Sequence, residues 1–217
     1  ISSDFNIKKN TNKKIFEKYR NTIQTISKDK FKNKYHSSRT QGIVVYFNYK
    51  IYNYIPDDDK DRINQCYIIL DSIKDPQNLG QILRTSECAG VTGVIIPERR
   101  SSNITSTVLQ VSQGAFCNLN IIVSKNIKYS INEFKKNGYW VIGVENSIDS
   151  KNWYEMDMKG KNIFVFGSEG EGIRSLIKKY CDYLITIPML GKINSLNISA
   201  TVSAILFERN RQILDYE

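Results

Sequence analysis

The sequence is poor in the residues that build metal centres and disulfide frameworks. It holds a single histidine, His36, and four cysteines, Cys66, Cys88, Cys117 and Cys181, with no Cys-x-x-Cys pair among them. These cannot complete a tetrahedral nitrogen and sulfur site, so neither a structural nor a catalytic zinc is expected. The cysteines lie in or beside apolar segments and read as small buried hydrophobes of a reducing, intracellular compartment. Whether that compartment is the cytoplasm or an organelle (mitochondrion or plastid) stays open. No apolar run reaches the roughly 18 residues a membrane helix needs, and nothing at the start has the charged-then-apolar order of a secretory signal. A soluble protein without a membrane partner is expected. No cluster of acidic residues suits a two-metal nuclease.

What is present is positive charge, unevenly placed. The 217 residues carry a formal charge of +9. Residues 1–60 hold 13 Lys/Arg against 6 Asp/Glu (+7), and residues 61–217 hold 18 against 16 (+2). Clustered cations attract a polyphosphate by releasing its counterions. Here they are interleaved with Phe16, Tyr19, Phe31 and Tyr35, aromatic rings of the kind that stack on unpaired bases. A solvated lysine-rich face in a chain rich in Lys, Asn and Ile throughout accounts for the charge equally well.

The length allows one full domain and a smaller appendage. The hydrophobic stretch 42–47 and residues 51–55 have strand-like composition, and the charge-dense 56–61 reads as a connector. We therefore expect a basic N-terminal segment over 1–60 and a main domain over 61–217. From residue 63 short apolar strands alternate with helical segments, the pattern of a parallel α/β sheet with helices on both faces. Strands are predicted at 66–70, 94–96, 119–123, 140–144, 163–166 and 183–187, and helices at 79–89, 104–112, 131–137, 173–180 and 198–214. In the last helix Ala200, Ala204, Ile205 and Phe207 are expected to include the buried side.

Three blocks carry chemistry. The first, Asp75-Pro-Gln-Asn-Leu-Gly-Gln-Ile-Leu-Arg84, opens with a helix cap and a first-turn proline. That leaves Asn78 and Arg84 unexplained, and Arg84 by itself is an ordinary solvated helix residue. The second, Gly167-Ser-Glu-Gly-Glu-Gly172, follows a strand and precedes a helix, where a glycine-rich turn lets backbone N–H groups approach a ligand. Its spacing matches neither a P-loop nor a dinucleotide fingerprint, so neither ATP nor NAD is supported. A tight turn whose Glu169 and Glu171 complement a helix dipole is the plainer account. The third, Asn194-Ser-Leu-Asn-Ile-Ser199, opens the final helix, and Ser195 and Asn197 are both capping residue types. Each block alone has a bland explanation, whereas three in this order do not combine by chance.

Residues 66–212 resemble the SpoU (TrmH-like) family of RNA ribose 2′-O-methyltransferases, within the SPOUT superfamily. The resemblance rests on Asp75 to Thr85, on Phe166 to Gly172, and on Ile187-Pro-Met189 with Ser195 to Ser199. It implies a SPOUT-type parallel sheet whose C-terminal segment is threaded into a deep trefoil knot, a rare exception to unknotted chains. It also implies a homodimer with its active site near the subunit interface. Residues 41–45 are similar to the link that follows an L30e-like RNA-binding domain in the ribosomal RNA branch, of which residues 1–60 would be a partial form. The cofactor implied is S-adenosyl-L-methionine, held by Gly167, Gly170, Ile187, Met189 and Leu196. Asn78, Arg84, Glu169, Ser195 and Asn197 are implied as the catalytic set. The family scheme makes the arginine a general base, yet a guanidinium is a permanent cation and suits a phosphate clamp better. The expected substrate is a ribose 2′-hydroxyl of RNA, with a guanosine of large-subunit ribosomal RNA preferred. Transfer RNA, or a catalytically silent RNA-binding role in ribosome assembly, are the alternatives.

Overall fold

The computed structural model describes residues 1–5, 13–35, 40–56, 62–146 and 150–215. The chain divides into two compact units, residues 1–49 and 50–217. In the first unit, helices α1 (Lys13–Lys18) and α2 (Lys28–Tyr35) are accompanied by a parallel bridge between Ser2 and Ile26. Phe31 is buried there at 4% exposure, its ring 4.9 Å from that of Tyr35. It is therefore a core residue of this unit and not a stacking platform, whereas Tyr19 is exposed.

The two N-terminal strands expected from composition do not form. Residues 43–50 form no strand among the described residues, and Val45, Tyr46 and Phe47 are exposed. Of residues 51–55 only Tyr52 pairs, through an isolated parallel bridge to Ile122. That bridge explains why the division falls after Tyr49 and not at the polar connector: Tyr52 exchanges hydrogen bonds with Ile121 and Val123 of the second unit. The expected connector falls largely on residues 57–61, and His36 on residues 36–39, both outside the described residues.

The second unit is a seven-stranded, all-parallel sheet. Its strands are β1 (Gln65–Leu70), β2 (Gly93–Pro97), β3 (Asn120–Ser124), β4 (Trp140–Val144), β5 (Lys151–Asn152), β6 (Lys161–Phe166) and β7 (Tyr183–Thr186), in the order β3-β2-β1-β6-β4-β7-β5. The centre is β6, in register with β1 from Gln65↔Lys161 to Leu70↔Phe166 and with β4 from Trp140↔Asn162 to Val144↔Phe166. All six residues of β1 are buried, as expected of a parallel strand covered on both faces. Tyr67 and Ile69 join a cluster with Ile131, Phe134, Tyr139 and Ile177 on one face. Ile68 and Leu70 point to the other face and are equally buried.

Helices α3 (Pro76–Cys88), α4 (Ser106–Val111), α5 (Ile127–Lys136) and α6 (Ser175–Lys178) connect strands of the sheet, and α7 (Ile198–Leu214) follows β7. Their starts follow capping chemistry. Asp75 accepts from the N–H of Gln77 and of Asn78 ahead of α3, and Thr105, Asn126 and Asn197 cap α4, α5 and α7 in the same way. Helix α3 packs on α4 and α7. The buried side of α7 is Ile198, Val202, Ile205, Leu206 and Arg209. Only Ile205 of the four residues expected there is buried, while Phe207 is 48% exposed. Burying each large aliphatic of that stripe contributes about 1.5–3 kcal/mol. No helix among the described residues is long and apolar enough to cross a membrane.

Candidate active site

In an open parallel α/β sheet, ligands bind beyond the carboxyl ends of the strands. Here the loops after β1, β4, β6 and β7 converge at that edge. Three of them, with the start of α7, enclose a cavity of about 600 Å³. Its walls are Val144 to Asn146, Gly167 to Gly172, Thr186, Ile187 and Met189, and Asn194 to Ile198 with Thr201.

The glycine loop after β6 is closed on itself. Ser168 and Gly172 exchange backbone hydrogen bonds of 3.1 and 3.0 Å, and Gly170 turns the chain with φ 90°. Gly167 has no room for a side chain: a Cβ would stand 2.0 Å from the carbonyl carbon of Gly172. The loop's far end is pinned twice. Glu145 accepts from the N–H of Ile173 at 3.3 Å and from Lys178 Nζ. Asp71, wholly buried, accepts from the N–H of Arg174 at 3.1 Å and from its Nε at 2.8 Å.

Three side chains from distant parts of the chain meet beside the cavity. Glu169 Oε1 accepts from Asn78 Nδ2 at 3.3 Å, from Asn197 Nδ2 at 2.9 Å and from the N–H of Ile198 at 3.3 Å. Asn197 Nδ2 also donates to Asn78 Oδ1 at 3.1 Å. Its other amide atom, Oδ1, caps α7 at the N–H of Ser199, and Ser199 Oγ donates to Gln81 Oε1 on α3 at 2.8 Å. The loop after β6 and the starts of α3 and α7 are thus one hydrogen-bonded unit.

Of the sequence-predicted catalytic set, Asn78, Glu169 and Asn197 come together, and Ser195 lies on the cavity wall. Arg84 does not join them. Six residues beyond Asn78 is about 240° around a helix, so it leaves α3 on another side. It is exposed, and no hydrogen bond or ion pair holds it among the described residues. The other four polar residues therefore do not orient Arg84 within one chain. All five residues predicted to hold a cofactor, Gly167, Gly170, Ile187, Met189 and Leu196, line this cavity. Sequence reasoning missed Asp71, Glu145, Gln81, Arg174 and Ser199. The first two carried a usable signal, since each is the first acidic residue beyond an apolar strand.

A parallel sheet with a ligand-sized cavity at its carboxyl edge, closed by a glycine loop and the start of a final helix, defines an α/β ligand-binding domain. This chain belongs to the SpoU rRNA Methylase family, whose model matches residues 65–207. It is similar to a Staphylococcus haemolyticus protein assigned to the TrmH family of tRNA/rRNA methyltransferases, 37% identical over 194 residues that cover 88% of this chain and 77% of that protein. Its Staphylococcus saprophyticus counterpart is 45% identical over 141 residues, 65% of this chain and 56% of the relative. The chain therefore spans little more than half the length of that relative. Among solved structures, the AdoMet-bound rRNA methyltransferase of Sinorhizobium meliloti superposes with a TM-score of 0.65 at 25% identity, covering 70% of this chain and 58% of that one.

Proposed function

We propose that this protein transfers a methyl group from S-adenosyl-L-methionine to a ribose 2′-hydroxyl of RNA, with large-subunit ribosomal RNA as substrate and a guanosine as target. The observation that carries the reading is the cavity of about 600 Å³ on whose wall Gly167, Gly170, Ile187, Met189 and Leu196 all lie. Its chemistry fits the cofactor. Ile187, Met189 and Leu196 offer apolar surface to an adenine, and the glycine loop, closed on itself at Gly167, adds main chain to the cavity wall. Glu145, Glu169 and Glu171 on the wall suit a ligand carrying a sulfonium and an ammonium, and among the described residues only Glu145 is neutralised by a cation, Lys178. The Sinorhizobium meliloti structure supports the same cofactor.

When bound, the cofactor supplies an electrophilic methyl group. The chain's own part is positioning, since holding a 2′-oxygen in line with the reacting carbon supplies much of the barrier reduction. Glu169, Asn78 and Asn197 form the rigid edge against which the ribose is set, with the Ser195 hydroxyl beside it. Arg84, free of partners among the described residues, is available to clamp the phosphate next to the target ribose. The reading includes a homodimer, supported by the exposed Leu190, Ile193 and Phe207. It also includes threading of the C-terminal segment as a deep trefoil knot, supported by the way residues 186–198 close the cavity against the glycine loop. The lysine-rich residues 1–60 would serve as an RNA-targeting segment.

The test is methyl transfer from labelled S-adenosyl-L-methionine to unmodified ribosomal and transfer RNA, with ribose methylation mapped and Arg84→Ala run alongside. Ribosomal RNA labelling lost in the variant supports the reading. Labelling of transfer RNA alone moves the substrate, and absence of cofactor binding favours a silent RNA-binding protein.

A further inference from the structure

Beside the cofactor cavity, at the carboxyl ends of β2 and β3, lies a second cleft of about 570 Å³ with a different electrostatic character. Arg99, Arg100, Lys125, Lys128 and Arg174 line it, against one carboxylate, Glu98. Arg174 is committed to the buried Asp71. Arg99, Arg100 and Lys125 are exposed and without an ion-pair partner among the described residues, and Lys128 has only the Tyr180 ring, 5.1 Å from its Nζ.

The loop that carries the two arginines is built, not merely exposed. Arg100 sits in left-handed backbone at φ 67°, a conformation costly to residues other than glycine. The next two residues hold it there: Ser101 Oγ and the N–H of Ser102 both donate to the carbonyl of Ile73, at 3.1 and 2.7 Å. Ile73 lies two residues before Asp75, the cap of the helix that bears Asn78. The opposite wall is the start of the ten-residue α5, where Lys125 and Lys128 flank the Asn126 cap and the positive end of the helix dipole adds to their charge. Two basic walls on fixed backbone, with Glu98 the one carboxylate lining them, are matched by an extended polyanion.

We propose that this cleft binds phosphodiester groups of the substrate RNA strand next to the target nucleotide. Arg99, Arg100, Lys125 and Lys128 are its phosphate contacts, and Arg174 is the strut that keeps it in register with the cofactor loop. The proposal rests on the RNA-methyltransferase reading but concerns a different set of residues. Because the loop is tied to Ile73, a strand seated in the cleft is held at a fixed offset from Asn78 and the cofactor cavity. The cleft thus selects which nucleotide of a flexible strand reaches the methyl donor.

The test uses the full chain and a labelled short mixed-sequence single-stranded RNA, with binding followed by fluorescence anisotropy across a potassium chloride series and no cofactor present. The variants are Arg99→Ala/Arg100→Ala/Lys125→Ala/Lys128→Ala and the charge-keeping Arg99→Lys/Arg100→Lys. The salt slope of log affinity should fall by about 0.7 for each lost contact, roughly 2 to 3 in all for the quadruple variant. Affinity at low salt should fall at least tenfold, while the lysine variant keeps most of the slope. Unchanged melting temperature and S-adenosyl-L-methionine affinity of the quadruple variant show that the loss is not misfolding. A quadruple variant with the wild-type slope, or a wild type that binds no RNA, overturns the cleft. Failure of the wild type to bind S-adenosyl-L-methionine overturns the enzymatic reading instead, and leaves the RNA result to be read by itself.

Discussion

Asn197 and Asn78 stand 119 positions apart in the chain, yet Nδ2 of the first donates to Oδ1 of the second at 3.1 Å. The bond fastens the start of α7 to the start of α3, and both amides share Glu169 as acceptor. The geometry of this corner depends on side chains that cannot be exchanged singly without leaving a donor unpaired.

Glu169→Ala removes an acceptor of three hydrogen bonds and leaves the Asn78 amide, on a residue only 9% exposed, without a partner. A buried donor left unpaired costs about 1–3 kcal/mol. Calorimetry should show a Tm lowered by roughly 3–10 °C, given about 2–4 °C per kcal/mol for a chain of this size. Glu169→Gln keeps one acceptor oxygen and should lose less. Methyl transfer should fall by about 10²-fold in the alanine variant, the scale of a misplaced reacting group. Equal Tm for both variants and the wild type would show that the corner is not held by this carboxylate.

Gly167→Ala and Gly170→Ala separate close approach from backbone strain. At Gly167 a methyl group meets the main chain of Gly172 and Ile173 within 2.0–2.2 Å, so the loop cannot close. At Gly170 nothing lies within 4 Å, and the only penalty is φ 90°. Left-handed backbone costs about 1–2 kcal/mol in residues other than glycine, so Gly170→Ala should keep its fold with only that modest loss of stability. Gly167→Ala should lose cofactor binding in isothermal titration and melt well below Gly170→Ala. The reverse order would contradict the loop geometry.

Asp71 is fully buried and pairs with Arg174 at 2.6 Å. Truncating one partner of a buried pair typically costs about 3–5 kcal/mol, because the other charge stays behind. Arg174 is partly exposed, so Arg174→Ala should fall at the lower end, and Asp71→Ala/Arg174→Ala should be less destabilised than the two single variants added together. Chemical denaturation of the four proteins measures the coupling. Strict additivity would remove Arg174 as the strut of the glycine loop.

Burial pushes the thiol of Cys66 up from 9.0 to about 11 and that of Cys181 up to about 12, because an apolar surround disfavours the thiolate. Cys88 and Cys117 are exposed. A chromogenic disulfide reagent near neutral pH should therefore titrate two thiols quickly in the native protein and four in denaturant. Stability carries the matching sign. The folded state holds these two protons more tightly than the unfolded chain does, so their contribution is fully present below about pH 9 and is lost as pH rises through 11 to 12. Native Cys66 reacting as fast as Cys88 would refute the burial.

Much of the sheet was legible because parallel strands covered on both faces leave uninterrupted apolar runs. Trp140–Val144 and Ile198–Leu214 were predicted to the residue, and the other strands and α3 to within a few residues at each end. The short β5 carries no apolar run and left no signal. The stretch 42–47 has strand composition but no neighbour to pair with among the described residues, since composition records propensity and pairing is a tertiary fact. The walls of the cavity were legible through the three sequence blocks. The pairs that brace them were not, because Asp71 with Arg174 and Glu145 with Lys178 join residues 103 and 33 positions apart. Arg84 illustrates the opposite limit, a residue prominent in its block whose place in one chain is open surface.

The position of β6 between β1 and β4 sets a timetable for the nascent chain. Strands β1, β2 and β3 can pair in the order they leave the ribosome, but both neighbours of β4 are made after it. Until β6 arrives, Trp140–Val144 waits as an unsatisfied edge, a stretch vulnerable to pairing with other chains. The wait for the cavity is longer still. The glycine loop has no opposite wall until residues 186–198 have emerged, and Glu169 lacks one of its two amide partners until Asn197 folds back onto Asn78. A partly made chain can thus own half a sheet while having no corner in which to hold a ligand, and the arrival of residues 186–198 turns a scaffold into a site.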